Sequence, residues 1–308
     1  AGAVTLLSVV TLAACANGTN KDVVTMKGDA ISVSDFYDEI KTNQGAQQVL
    51  FQMTINKVFE KEYGSKVSDK EVDKELAKQK KQLGKQFDAY LAQQGLTEET
   101  AKKQIRSNML LEYAVNQAAK KDIKESDYKA AFESYTPEVT AQIIKLNSED
   151  KAKEVLEAAK AEGADFAQIA KDNSTDTATK DKGGEVKFDS GTADIPSQVK
   201  EAAFKLDENG ISDVITVSAG RNYSASYYIV KLNKKTDKGS DWKKYEKRLK
   251  EIIVDGRKQD TNYIRSIIAK AMTNANIKVK DDAFKSTFNQ YLQNIGVQTS
   301  NSSSSSKK

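Results

Sequence analysis

A chain of 308 residues can hold two domains with cores of their own. Its 48 Lys+Arg and 44 Asp+Glu are interleaved along the sequence, so no concentrated basic face is expected and nucleic acid is not a predicted partner. Histidine is absent and there is one cysteine, which removes Ser-His-Asp and Cys-His catalysis, His-ligated zinc, thiolate clusters and intramolecular disulfides; no metal or cofactor is expected.

The first residues, AGAVTLLSVVTLAAC, carry an apolar run shorter than the ~20 residues that span a bilayer. The run suits part of a signal peptide over 1–14. Leu12-Ala13-Ala14-Cys15 matches the lipobox of bacterial lipoproteins, with cleavage before Cys15 and a diacylglycerol on its sulfur. The expected location is the extracellular face of the cell membrane, held by the Cys15 lipid through a polar tether over 15–21.

From Asp22 to Val33 the pattern alternates as in a short hairpin, with Lys27-Gly28-Asp29 as its turn. Ser34 is the expected cap of a helix carrying Phe36, Tyr37 and Ile40. The next helix, through Tyr63, places Phe51, Ile55, Val58 and Phe59 on one face and Val49, Leu50 and Met53 on another. Apolar on most sides, it reads as a buried central helix ending at Gly64. Ser68-Asp69-Lys70-Glu71 is a capping box that opens a charged helix with Val72, Leu76 and Leu83 on its apolar stripe. Thr97 starts a long helix to Lys121, and Ser126 another that aligns Tyr128, Phe132 and Tyr135 before Thr136-Pro137 ends it. Residues 22–138 therefore read as a helical lobe.

The pattern then changes. Val139–Leu146 is β-rich, helices follow at 150–162 and 165–173, and Gly183-Gly184 marks a turn or a close backbone approach. A short strand at 185–188, a helix at 197–206 and strands at 214–217 and 227–232 complete a compact α+β module over 139–233. Helix returns from Asp241 to Asn274 with Trp242, Tyr245, Leu249, Ile252 and Ile253 at heptad-like spacing and Gly256 as a weak point. Its apolar face needs a partner, so 234–285 is expected to pack back on the first lobe, making the module an insertion. Residues 286–308, with five consecutive serines, read as a disordered tail.

The middle module is similar to parvulin-type peptidyl-prolyl isomerases. Val139-Thr140-Ala141-Gln142-Ile143-Ile144 resembles the parvulin first strand, and Asn173-Ser174-Thr175-Asp176 stands where that family has Ser-x-Cys or Ser-x-Asp. Lys182-Gly183-Gly184-Glu185-Val186 resembles its Gly-Gly-Asp-Leu turn. Ala202-Ala203-Phe204-Lys205-Leu206 with Ile211-Ser212-Asp213-Val214 resembles the helix-turn-strand ending in Gly-x-Ile-Ser, and Tyr227–Leu232 the last strand. With a helical lobe around it and a lipobox before it, the whole layout resembles the PrsA-type foldases of Gram-positive bacteria, the streptococcal members above all. The resemblance implies an α+β chain: a mostly helical SurA/PrsA-like chaperone lobe built from N- and C-terminal segments, with a parvulin-like domain inserted.

It also implies a site. Parvulins carry two histidines and a Cys or Asp in a polar network under an apolar proline pocket. By this resemblance Gln142 stands at the first-strand histidine position, Tyr228 at the last-strand one and Asp176 at the acidic one. Ile195, Val199, Phe204 and Phe188 line the pocket. Gln142, Tyr228 and Asp176 are expected to be able to hydrogen-bond one another, yet they do not reproduce linked imidazoles. The function implied is a membrane-anchored extracytoplasmic foldase and chaperone for newly secreted or unfolded polypeptides, with weak or no isomerase activity. The alternatives are an active isomerase with a non-standard network and, further off, a solute-binding lipoprotein or adhesin. Self-association into a homodimer is left open.

Overall fold

The computed structural model describes residues 21–219 and 224–293. Cys15, the expected signal peptide and the serine run lie outside the described residues. The chain forms two compact units: a helical unit made of residues up to 118 with those from 258 onward, and a sheet unit of 119–257.

The helical unit opens with the hairpin of β1 (Asp22–Met26) and β2 (Asp29–Ser32), turned at Gly28, whose φ is +87°. Helix α1 (Val33–Ile40) is capped by Ser32 rather than Ser34. Ser32 Oγ accepts from the Asp35 N–H at 3.1 Å while the Asp35 carboxylate accepts from the Ser32 N–H at 2.8 Å. The cap falls two residues early because Ser32 ends β2 in extended backbone and has an acidic residue three positions on.

Helix α2 (Gln44–Tyr63) ends at Gly64 as expected and buries Phe51, Ile55, Val58 and Phe59. It is not buried all round. Leu50 is half-buried, but Val49 is 59% and Met53 51% exposed, so the second apolar stripe faces outward from the unit's core. Helix α3 (Asp69–Leu83) starts at the Ser68–Glu71 capping box; α4 (Phe87–Gln93) and α5 (Glu98–Lys121) follow.

In the sheet unit, α6 (Glu125–Ser134) leads into β3 (Val139–Leu146), α7 (Glu149–Lys160) and α8 (Phe166–Asn173). Then come β4 (Glu185–Phe188), α9 (Ser197–Lys205), β5 (Ile215–Ala219), β6 (Ser224–Lys234) and α10 (Glu246–Gln259). The four strands form an antiparallel sheet in the order β4-β3-β6-β5. Because side chains alternate across a strand, the sheet has two apolar faces. Val139, Ala141 and Ile143 of β3 join Val230 and Leu232 of β6 under α9. Ile144 and Leu146 join Ile229 on the other face, under α7 and α8.

The returning helical stretch divides between the two units. Trp242 stacks on Tyr128 of α6 at 5.0 Å, Tyr245 packs on Phe132 and Tyr135, and Leu249 is fully buried in the sheet unit. The apolar face of α10 thus meets the aromatic stripe of α6, the last helix of the 22–138 stretch, which belongs to the sheet unit. Asp189, after β4, fastens this arrangement. Its Oδ2 accepts from Arg248 Nε at 2.6 Å and from the Tyr135 hydroxyl at 3.0 Å. Its Oδ1 accepts from Arg248 Nη2 at 2.8 Å, and from the Gly191 N–H and Thr192 hydroxyl at 3.0 Å each. Burial pushes the Asp189 carboxyl up, but Arg248, Thr192 and Tyr135 together outweigh it and hold it below its ordinary value. Burial first, then Asp189, pushes the Tyr135 hydroxyl up.

The break in the returning stretch falls at Asp260, whose carboxylate caps α11 (Thr261–Asn274); α10 runs through Gly256 uninterrupted. Ile267, Ile268 and Met272 of α11 then enter the helical unit's core with Phe59 and Leu110. Lys285–Gln293, within the stretch read as tail, is helix α12, and Phe288 is buried edge-on against Phe51 at 5.4 Å. A buried Phe contributes about 1.5–3 kcal/mol, which a serine-rich reading of this stretch does not anticipate.

Candidate functional site

The residues read as a proline pocket do come together. Phe188 and Val199 are buried in the cluster under α9, and Ile195, Phe204 and Tyr228 lie half-buried against it. Phe188 and Phe204 sit 5.8 Å apart, ring to ring. Each arrives by a local rule. Phe188 ends β4, Pro196 precedes the first turn of α9, and Val199 and Phe204 follow on that helix.

The polar residues do not come together in the same way. Tyr228 shares its face of β6 with Val230 and Leu232. Gln142 shares its face of β3 with Ile144 and Leu146, on the opposite side of the sheet. Its side-chain amide donates to the Gly183 carbonyl at 3.0 Å. Gln142 therefore fastens the glycine turn and does not hydrogen-bond Tyr228. The β3 residues nearest Tyr228 on its face are Lys145, which pairs directly across from it and places its ammonium 6.0 Å from the ring, and the buried Ile143, which pairs with Val230. Both were missed by sequence reasoning, although strict alternation from Val139 and Ala141 points to them.

Asp176 is held at the same end of β3. The Lys145 N–H donates to Ser174 Oγ at 3.2 Å and the Thr175 N–H to the Lys145 carbonyl at 2.8 Å. The Asp176 carboxylate accepts from the Thr179 hydroxyl at 2.7 Å and the Ala178 N–H at 3.1 Å. Both oxygens thus serve as the cap of the following turn. That turn ends at Gly183 and Gly184, with φ of +68° and +78°. The Ile143 N–H donates to the Gly184 carbonyl at 2.8 Å. A Cβ at Gly184 would lie 2.5 Å from the Ile143 carbonyl oxygen, so the expected close backbone approach is present and requires glycine.

What the arrangement offers is an apolar cluster in which Phe188 and Val199 are closed off from solvent, while Ile195, Phe204 and Tyr228 stay partly exposed, with the Lys145 ammonium beside the Tyr228 ring. The first-strand residue directly across from Tyr228 is Lys145, whose ammonium lies over the ring, and Gln142 is on the other face of the sheet.

Residues 129–236 match the PPIC-type PPIASE domain family. Over the whole chain, "Foldase protein PrsA" of Streptococcus sanguinis is 60% identical across 296 residues, covering 96% of this chain and 88% of that protein. The protein of the same name from Streptococcus gordonii is 58% identical, covering 100% of this chain and 98% of the relative. The chain belongs to the PrsA foldase family. The crystal structure of foldase protein PrsA from Streptococcus pneumoniae superposes with a TM-score of 0.80 at 54% identity, covering 88% of this chain and 99% of that one. That of the Lactococcus lactis foldase gives 0.66 at 38% identity, covering 88% and 99%. As a PrsA-family chain it carries its parvulin-type domain inserted between helical N- and C-terminal segments, the architecture the sequence implies. Among the described residues no helix is long and apolar enough to cross a membrane.

Proposed function

We propose that this PrsA-family foldase acts on newly secreted, unfolded polypeptides at the extracellular face of the membrane, chiefly by binding them, with little turnover of prolyl bonds. One observation carries the second half of this reading. On the Tyr228 face the residue directly across on β3 is Lys145, with the buried Ile143 opposite Val230, while Gln142 is turned to the other side and Asp176 caps its own turn. Rotation about an X-Pro bond crosses ~18–20 kcal/mol, and a catalyst must favour the twisted amide over both planar states. Ile195, Phe204 and Tyr228 are the partly exposed residues left to meet a proline ring, and of the network that would support the twisted amide Gln142 is bound to Gly183 and Asp176 to its own turn.

The test is proline-limited refolding of a model client beside aggregation of the same client, with the full chain in both. The expected result is slowed aggregation, and refolding that keeps the uncatalysed timescale of tens to hundreds of seconds. Asp176→Ala is expected to change neither. Catalysis clearly above background and lost in Asp176→Ala would establish the isomerase reading, which the PPIC-type match favours. The anchor is tested separately. Cys15→Ala is expected to move the protein from the membrane fraction to the medium, and unchanged retention would remove the lipid from the account.

A further inference from the structure

Helix α2 carries more apolar surface than its unit buries, and it borders an open groove. The groove has a volume of about 650 Å3 and lies wholly within the helical unit. Phe51, Ile55 and Ile268 form its apolar floor, and Gln44, Gln48 and Gln52 line its edge one helical turn apart. Beside that edge, one position on from Gln48 and Gln52, stand the exposed Val49 and Met53.

Two features define what fits. None of the lining residues is charged, in a chain where 30% of residues are, so the groove suits an uncharged occupant. Its edge is amide: each glutamine both donates and accepts, as a peptide backbone does. Gln52 donates to Asn56 at 2.8 Å, whereas the side chains of Gln44 and Gln48 are exposed and make no hydrogen bond among the described residues. The volume falls in the range that encloses ligands of several hundred daltons.

We infer that the α2 groove holds an extended, uncharged segment of an unfolded polypeptide, with Gln44 and Gln48 hydrogen-bonding its backbone and the floor taking its apolar side chains. This rests on the binding reading above and gives it a site and a substrate class. Backbone recognition through amides is indifferent to sequence, which a chaperone for many clients requires, and the uncharged lining selects the segments most prone to aggregate.

The experiment compares the full chain with the double variant Gln44→Glu/Gln48→Glu and with the control Gln82→Glu/Gln104→Glu, whose positions are exposed, in the same unit and outside the groove. The probes are a short labelled peptide of Val, Ser, Tyr and Asn, and the same peptide with Asp at alternate positions. Binding of the uncharged peptide is expected to weaken roughly tenfold in the groove variant and to stay unchanged in the control, since a carboxylate at the edge would face a segment that cannot pair with it. The Asp-containing peptide is expected to bind the native chain more weakly than the uncharged one. A photo-crosslinker at 48 should capture the uncharged peptide and one at 104 should not. Equal binding by all three proteins, in a chain that still slows client aggregation, would overturn the groove and leave the binding reading standing. A native chain that neither binds the peptide nor slows aggregation would overturn both.

Discussion

Replacing Arg248 by Met is expected to lower the stability of the sheet unit by about 2–4 kcal/mol at pH 7, and by much less near pH 4. The methionine keeps the apolar stem and removes the guanidinium, leaving Asp189 buried with a charge and no cation beside it. In the native chain the Asp189 carboxyl lies below its ordinary value of 3.8. Its contribution is therefore present above the unfolded pKa and is lost as pH falls through the lower, folded one. In the variant the strongest of the influences that outweigh burial is gone, so the folded pKa is expected to rise. The deficit is therefore expected to be largest at neutral pH, where the carboxylate must be charged, and to shrink as acid neutralises it. Arg248 is one-third exposed on its side chain, which is why the lower part of the range for broken buried pairs applies. Trp242, the one tryptophan of the sequence, lies in this unit and reports its unfolding by fluorescence during denaturant titration at each pH. A deficit of equal size at both pH values would mean that packing, not charge, is what Arg248 supplies.

The second large effect is expected at the glycine turn. Gly184→Ala places a methyl group 2.5 Å from the Ile143 carbonyl oxygen and 3.0 Å from its nitrogen, on a backbone with φ of +78°. The left-handed conformation alone costs roughly 1–2 kcal/mol for a residue with Cβ, and forcing the turn off β3 adds ~1–3 kcal/mol. Gly163 separates the two contributions. It has φ of +75° with nothing within 4 Å of a built Cβ, so Gly163→Ala is expected to cost about the first amount alone. The same fluorescence titration reads both variants. If the two alanines destabilise equally, the turn is free to move off the strand and the close approach is not a constraint.

The elements were legible where local chemistry decides them. The Ser68 capping box, the Gly64 helix end and the Gly183-Gly184 approach are each set by a few neighbouring residues. The order of the parvulin-like motifs carried the inserted architecture. What was not legible depends on which element faces which. Gln142 illustrates this: the run Val139–Ile144 shows that a strand is present, but one residue of offset moves a side chain through the sheet, and only the cross-strand partners fix the side. The second stripe of α2 reads as core because periodicity cannot distinguish an apolar face that is covered from one that is not. Asp189 gave no sign in the sequence. Its partners Tyr135 and Arg248 are 54 and 59 residues away, and an acid in a Ser/Gly-rich turn ordinarily points to solvent. The Asp241–Asn274 stretch reads as one helix because no glycine or proline stops it at 260, yet Asp260 can cap only the helix that begins after it.

The insertion of the sheet unit imposes an order on the chain's own maturation. The helical core needs Ile267, Met272, Phe284 and Phe288 to close over Phe59 and Leu110, and Gln47 meets its Ala283 carbonyl 236 residues downstream. A polypeptide that crosses the membrane from its N-terminal end can complete the sheet unit once Arg257 has emerged, whereas the unit holding the α2 groove must wait for the last helices. The emerging foldase is itself, for that interval, an incompletely folded client, with the apolar residues around Phe51 still uncovered.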